Sequence, residues 1–227
     1  NDKGSLLIEE GIAVNSTASL DYSDAEAVKV LGNPTEGALL LWLKKAGVDY
    51  LNLRESAEVL EELPFSTERK YMATIVKSSL FEGKTILYVK GAPEIVSGLC
   101  KNIENNVSKT DIENQLVEYQ NQAMRTLGFA YQIIDSKADV FKDGKVVADN
   151  LTFMGVVAIS DPVRLDVPAA VAECMNAGIN VKIVTGDTPG TAKEIGRQIG
   201  LWTAKDGDKN IITGPEFAAL SDEELDK

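Results

Sequence analysis

Several short runs of this chain hold residues suited to a phosphorylated ligand. Tyr88-Val89-Lys90-Gly91-Ala92-Pro93-Glu94 carries a lysine from a strand into a glycine turn at the mouth of a helix. Lys90 offers a compact cation for phosphate, and Gly91 lets backbone approach a ligand closely. Tyr88 lies on the same side of the strand as Lys90, so one face presents a ring and a charge together. The plain alternative is a solvated lysine beside a strand-to-helix turn. Upstream stands Phe65-Ser66-Thr67-Glu68-Arg69-Lys70. A ring at a strand end can stack on a base, a contact worth roughly 1–3 kcal/mol, although a phenylalanine after Leu63 and Pro64 is more often core. Arg69 and Lys70 are adjacent and point apart on a strand, so at most one reaches the pocket Phe65 faces.

Three further positions belong with these. In Asn33-Pro34-Thr35-Glu36-Gly37, helix capping and the positive end of the helix dipole are enough to explain Glu36. Asp161 stands before Pro162 at one strand end, where a turn former is also expected. Thr185-Gly186-Asp187 follows another apolar strand, where open α/β sheets place their ligands, and the helix opened by Pro189 offers its N-terminus to a phosphoryl group. Two strand-end aspartates in one parallel unit point to phosphoryl or Mg²⁺ chemistry. Gly83-Lys84-Thr85 ends like a P-loop but lacks the earlier glycine, and Asp206-Gly207-Asp208 lies in a charged turn.

Composition narrows the classes. The 227 residues suffice for one large or two small domains, and 44% are hydrophobic. The net charge of −12, from 35 acidic and 23 basic residues, argues against wrapping nucleic acid or docking on anionic lipid. No run of about 18 apolar residues is present. The sequence has no histidine, which excludes imidazole catalysis, and its two cysteines, Cys100 and Cys174, read as buried free thiols.

The elements that must position these residues follow from periodicity and punctuation. Helices are expected over Leu6–Thr17 and from Pro34, with Ala38, Leu39, Trp42, Leu43 and Ala46 as an apolar face closed by Gly47. Leu63-Pro64-Phe65, Tyr71–Lys77 and Lys84–Lys90 read as strands, the last two as a hairpin turning at Phe81-Glu82-Gly83. Pro93 opens a short helix. A longer helix capped within Ser108–Asp111 carries Leu116, Tyr119, Ala123, Met124 and Leu127 to Gly128, and a strand follows over Phe129–Ile134. This order predicts an α+β domain with an antiparallel sheet and flanking helices over residues 1–158. Then come an apolar strand Phe153–Ile159, a helix from Val167 to Ala177, a buried strand Ile179–Val184 and a helix from Thr188. Strand, helix, strand, helix predicts an incomplete parallel α/β unit over 159–227. The acidic tail after Leu220 is expected to fray.

In this order the motifs resemble the nucleotide-binding domain of P-type cation-transporting ATPases, most closely the calcium-pump branch, running on into a haloacid-dehalogenase-like phosphorylation domain. The resemblance covers essentially the whole chain. It implies ATP as ligand and Mg²⁺ in the full-length enzyme. Phe65 would stack on adenine and Glu36 would face it. Lys70, Lys90 and Gly91 would line the pocket, and Arg125 of Arg125-Thr126-Leu127 would meet phosphate or ribose. Asp161-Pro162-Val163-Arg164 matches the family's hinge, and Thr185-Gly186-Asp187 matches its phosphoryl-gripping loop. The implied partners are the remaining phosphorylation, actuator and membrane domains of the same pump, at the cytoplasmic face of a membrane.

The sequence departs from the family in three places. Thr67 replaces an arginine that some calcium pumps carry. The phosphorylated Asp-Lys-Thr-Gly-Thr segment and the Gly-Asp-Gly-Val-Asn-Asp motif do not occur. A soluble piece of a pump is therefore expected, with a stand-alone nucleotide-binding module or a haloacid-dehalogenase-like phosphatase as alternatives. The phosphatase needs an apolar strand ending in Asp-x-Asp, which the sequence does not offer. Lacking the nucleophile, the chain is expected to form no acyl phosphate. Incubation with γ-labelled ATP and Mg²⁺ should leave it unlabelled; label lost in Asp161→Asn would contradict that expectation.

Overall fold

Two adjacent strands covered on both faces set the frame. In the computed structural model, which describes residues 3–24, 28–135, 139–160, 163–186 and 188–221, β4 (Tyr71–Lys77) and β5 (Thr85–Gly91) are buried along almost their whole length. Their sequences are nearly continuous apolar and β-branched runs, as a strand covered on both sides requires. They pair antiparallel, from Tyr71 opposite Gly91 to Lys77 opposite Thr85. Around them the chain runs through α1 (Lys3–Val14), β1 (Ser19–Asp21), β2 (Lys29–Leu31), α2 (Pro34–Lys45), α3 (Tyr50–Ser56) and β3 (Glu58–Leu63). After β5 come α4 (Pro93–Leu99), β6 (Asn102–Ile103), α5 (Lys109–Asn121), β7 (Arg125–Ile134), the short strands β8 (Phe141–Lys142) and β9 (Lys145–Val146), and β10 (Thr152–Ile159).

The sheet order is β3-β4-β5-β7-β10-β6. β3, β4, β5 and β7 are antiparallel neighbours, but β10 runs parallel to β6, so the sheet is mixed rather than purely antiparallel. Ile12 and Ala13 of α1, Leu39, Leu40 and Leu43 of α2, Tyr50 and Leu53 of α3 and Phe129 of β7 share one core cluster. α2 starts where capping chemistry demands: the Asn33 side chain accepts from the backbone amides of Thr35 and Glu36, and Pro34 fills the first turn. Its buried stripe is Leu39, Leu40 and Leu43, whereas Trp42 is exposed. The 3.6-residue period alone does not choose between neighbouring stripes; the partner helices do.

Three expected elements differ. β3 ends at Leu63, so Pro64 and Phe65 lie beyond it. α5 stops at Asn121, and Arg125–Leu127 begin β7, with Gly128 inside the strand opposite Gly91. β7 pairs with β5 from Gly128 to Ile134, and the strand reaches back to Arg125 despite the apolar spacing that had suggested a longer helix. The third difference lies in the second of the two compact units into which the chain divides, Asn1–Glu113 with Thr126–Ile159, and Asn114–Arg125 with Ser160–Lys227. In the second unit α6 (Val167–Asn176), α7 (Pro189–Gln198) and α8 (Gly214–Ala218) form, but no strand is present among the described residues from Ser160 to Ser221. The expected strand at Ile179–Val184 is exposed, with Val184 at 97%. Such an apolar run is a strand only where neighbours take its hydrogen bonds, and the described residues of this unit supply none. Residues 222–227 lie outside the described residues. No described helix is long and apolar enough to cross a membrane. Cys100 is buried, Cys174 is half-buried, and both are free; burial pushes the Cys100 thiol up to about 12.

A polar knot ties α1 to the sheet. Glu10, fully buried, accepts 2.7 Å from the Ser78 hydroxyl and 2.6 Å from the Tyr88 hydroxyl. Gly11 makes this approach possible, since a Cβ there would stand 2.8 Å from the Tyr88 ring. Tyr88 thus faces a helix rather than a ligand, and burial, with Glu10 beside it, holds its phenol well above the usual range. Tyr88→Phe keeps the ring but leaves a Glu10 oxygen short of a donor, a loss of about 1–3 kcal/mol. Urea unfolding should show it as a lower midpoint at unchanged slope.

Candidate functional site

Glu36 sits in the first turn of α2, where the cap at Asn33 and the helix dipole favour a carboxylate, yet its side chain is only 8% exposed. Its Oε2 accepts from the Thr17 amide at 2.9 Å, the Thr17 hydroxyl at 2.7 Å and the Ala18 amide at 3.2 Å. Its Oε1 meets Lys90 Nζ at 2.7 Å. Lys90 is the penultimate residue of β5, 4% exposed, and also donates to the Asn15 carbonyl at 2.6 Å. Burial alone would raise the Glu36 carboxyl, but the Lys90 ammonium and the bonds from Lys90 and Thr17 together leave it below its ordinary value. Burial draws the Lys90 ammonium down, against the pull of Glu36.

The loop that supplies these amides is fixed from its other side. Arg54 of α3 donates to the carbonyls of Ala13 at 2.6 Å, Ser16 at 3.2 Å and Ala18 at 2.8 Å, with its guanidinium over the Tyr50 ring. The segment from Ala13 to Ala18 therefore directs amides at a carboxylate and carbonyls at two cations. Each buried charge is matched by several dipoles, as burial requires.

Above the pair lies a cavity of about 400 Å³. Glu36 and Lys90 line it with Thr17, Asn33 and Thr35. Phe65, Lys70, Gly91 and Ala92 line it too, and Met72 and Leu127 add apolar surface. Phe65 is 57% exposed, which is not how a core ring sits. Lys70 has a φ of 59°, a left-handed conformation that costs a non-glycine residue free energy. Its amide donates to the Ser66 carbonyl, closing the turn, and its carbonyl accepts from the Ala92 amide at 2.9 Å. Gly91 allows this, because a Cβ there would stand 2.3 Å from the Lys70 oxygen. Its absent side chain admits the Lys70 turn rather than a ligand.

Five of the expected residues thus meet: Glu36, Phe65, Lys70, Lys90 and Gly91. Lys90 lines the cavity from within a buried ion pair rather than as a solvated lysine. Arg125 stands exposed at the start of β7, and its neighbours Thr126 and Leu127 line the cavity instead. Thr185 and Gly186 are exposed in the segment between α6 and α7, while Asp161 and Asp187 lie outside the described residues. Sequence reasoning missed Asn15, Thr17 and Arg54. A polar Asn15-Ser16-Thr17 step between the apolar ends of α1 and β1 was the available signal; Arg54 left none.

Residues 5–166 match the family described as P-type ATPase, cytoplasmic domain N. Similar proteins include the calcium-transporting ATPase PAT1 of Dictyostelium discoideum, 36% identical over 97% of this chain and 20% of that protein. Calcium-transporting ATPase 2 of Cryptococcus neoformans is 33% identical over 95% of this chain and 17% of its own length. Calcium-transporting ATPase 1 of Lactococcus lactis is 34% identical, covering 90% and 23%. The chain spans about a fifth of the length of these curated relatives.

Removing one partner of the buried pair should cost more than removing both charges. Lys90→Ala should destabilise the chain by about 3–5 kcal/mol, and adding Glu36→Gln should restore part of it. Because the folded Glu36 carboxyl lies below its ordinary 4.5, its contribution is present above that pH and fades as pH falls through the folded value. Chemical denaturation from pH 7 to pH 3 should show this acid loss in the parent and a smaller one in Glu36→Gln.

Proposed function

The chain belongs to the P-type ATPases, as their cytoplasmic domain N, and from that we propose that the cavity between Phe65, Lys70 and the Glu36–Lys90 pair binds ATP for a calcium-transporting pump. The single observation that carries this reading is a ring left more than half exposed at the edge of a cavity that a buried, hydrogen-bonded ion pair also lines. An exposed aromatic edge offers a stacking face to a base. About 400 Å³ suits the base end of a nucleotide, with the phosphates emerging toward solvent. Lys70, exposed and held at the rim by its strained turn, is the cation placed for those phosphates. Lys90 and Glu36 keep the floor rigid and charged, and Gly91 lets the Lys70 turn close over it.

The rest is assigned by the resemblance. Arg125 would meet phosphate or ribose in the intact pump. Asp161, Thr185, Gly186 and Asp187 would serve the phosphoryl group from a haloacid-dehalogenase-like domain of which this chain carries a part. Mg²⁺ would enter with the complete pump and the phosphates it carries. The chain would then work at the cytoplasmic face of a membrane, beside the phosphorylation, actuator and membrane domains. Its own part is to hold the nucleotide and orient it; transfer of the phosphoryl group needs the nucleophile those domains supply.

An open pocket gripping mainly the base should bind ATP with a Kd of roughly 0.2 to 1 mM. Phe65→Ala should weaken ATP and adenosine alike, by about 1–2 kcal/mol. Lys70→Gly should behave differently: it relieves the positive φ, so stability holds or rises by up to ~1 kcal/mol, while ATP binding falls and adenosine binding does not. Titration calorimetry of the three proteins checks this. If Phe65→Ala binds ATP as the parent does, the ring is not the stacking face.

A further inference from the structure

We infer that Arg69 is a positioning residue for the cavity: from the opposite face of the sheet it ties down the peptide that carries Phe65. The inference rests on the reading of the cavity as a nucleotide site, and it names what holds the exposed ring in place. Phe65 stands in a segment that no strand ladder secures, because β3 ends at Leu63 and β4 begins at Tyr71. Within it the Lys70 amide donates to the Ser66 carbonyl at 2.8 Å, and the Arg69 amide to the Ser66 hydroxyl at 3.1 Å. Both bonds close the turn after Phe65. Among the described residues, only the Arg69 guanidinium reaches the peptide before it, donating through Nη2 to the Pro64 carbonyl. That carbonyl shares a rigid plane with the Phe65 amide, so holding it fixes the direction in which Phe65 leaves the chain.

Arg69 acts from outside the cavity. Met72 lines the cavity, and alternation along β4 sends its neighbour Tyr71 to the other face. The Arg69 guanidinium lies over the Tyr71 ring, 5.9 Å from its centre, near the outer limit for a cation–π contact. The β8–β9 turn confines it as well, since a Cβ on Gly144 would stand 3.7 Å from Nη1. That hairpin is fastened to the same ring: the Val146 amide donates to the Tyr71 hydroxyl at 3.0 Å. Held in this slot, Arg69 Nε is buried without a partner among the described residues. An orphaned donor opposes folding. A side chain kept only to pack Tyr71 against the hairpin would do better without one, whereas the bond to Pro64 needs the full length of an arginine. Lys70, the next residue, lines the cavity itself. The two adjacent cations thus act on one turn from opposite faces.

Titration calorimetry with ATP and with adenosine, beside urea unfolding, tests this. Arg69→Met keeps the stem and removes both the tie to Pro64 and the orphaned donor. Its unfolding midpoint should match or exceed the parent's, while ATP and adenosine should both bind roughly 3- to 10-fold more weakly, within the loss expected of Phe65→Ala. In a Phe65→Ala background the same change should weaken binding by less than about 2-fold, because its effect passes through the ring. Arg69→Lys retains a donor for Pro64 and should recover part of the affinity. A loss for ATP with adenosine untouched would make Arg69 a phosphate ligand and overturn the inference. Parent-like binding by Arg69→Met overturns it too, as does an equal fold-loss with and without the Phe65 ring, or a loss matched by a lower unfolding midpoint. If Arg69→Met does not fold, Arg69→Gln, too short to reach Pro64, takes its place under the same comparisons. Failure of the parent itself to bind ATP removes the nucleotide-site reading and this inference with it.

Discussion

A lysine and a glutamate that meet at 2.7 Å with almost no solvent around them are the constraint the first unit is arranged to satisfy. Taking both charges out of water costs several kcal/mol each, and mutual attraction repays that only where further hydrogen bonds complete each group. The three elements that complete them are far apart in sequence. β5 brings Lys90, the capped first turn of α2 brings Glu36, and the loop after α1 brings one carbonyl, two amides and a hydroxyl. Arg54 of α3 takes the carbonyls of that loop. Moving any one of these elements would leave a buried charge short of partners, so the pair specifies how the helices sit on the sheet.

The cavity follows from the same arrangement. Its floor is rigid because the pair is, and its mouth is formed by a turn that carries backbone strain at Lys70. That strain persists because the Lys70 carbonyl is held by the Ala92 amide across the bare face of Gly91. A large aromatic ring left in solvent at the edge of that cavity gains nothing for folding, and it is the feature on which the proposed nucleotide site rests.

The sequence exposed the site more clearly than the way it is wired. Lys90, Gly91, Phe65, Lys70 and Glu36 stand in short local motifs, and hairpin periodicity placed Tyr71–Lys77 and Thr85–Gly91 with little error. The roles were harder to read. Nothing local says that Lys90 is buried against Glu36, 54 residues away, because the pairing depends on α2 packing at the end of β5. Tyr88 shares its strand face with Lys90, as alternation requires, but the face meets α1 through Glu10 and Gly11. Arg125 was placed on a helix end because apolar spacing continued past Asn121, whereas that stretch opens β7, whose ladder with β5 begins three residues later at Gly128. The run Ile179–Val184 has strand composition, and composition cannot show whether neighbours are there to pair with it.

The most direct measurement is an amide chemical-shift map of the parent chain titrated with ATP. Saturable shifts should concentrate at Thr17, Phe65, Lys70, Gly91 and Leu127, with the amides of residues 163–221 largely unmoved. A map in which those five stay still while the segment around Thr185 responds, or in which nothing responds at millimolar ATP, would contradict the assignment of the Glu36–Lys90 cavity as the nucleotide site.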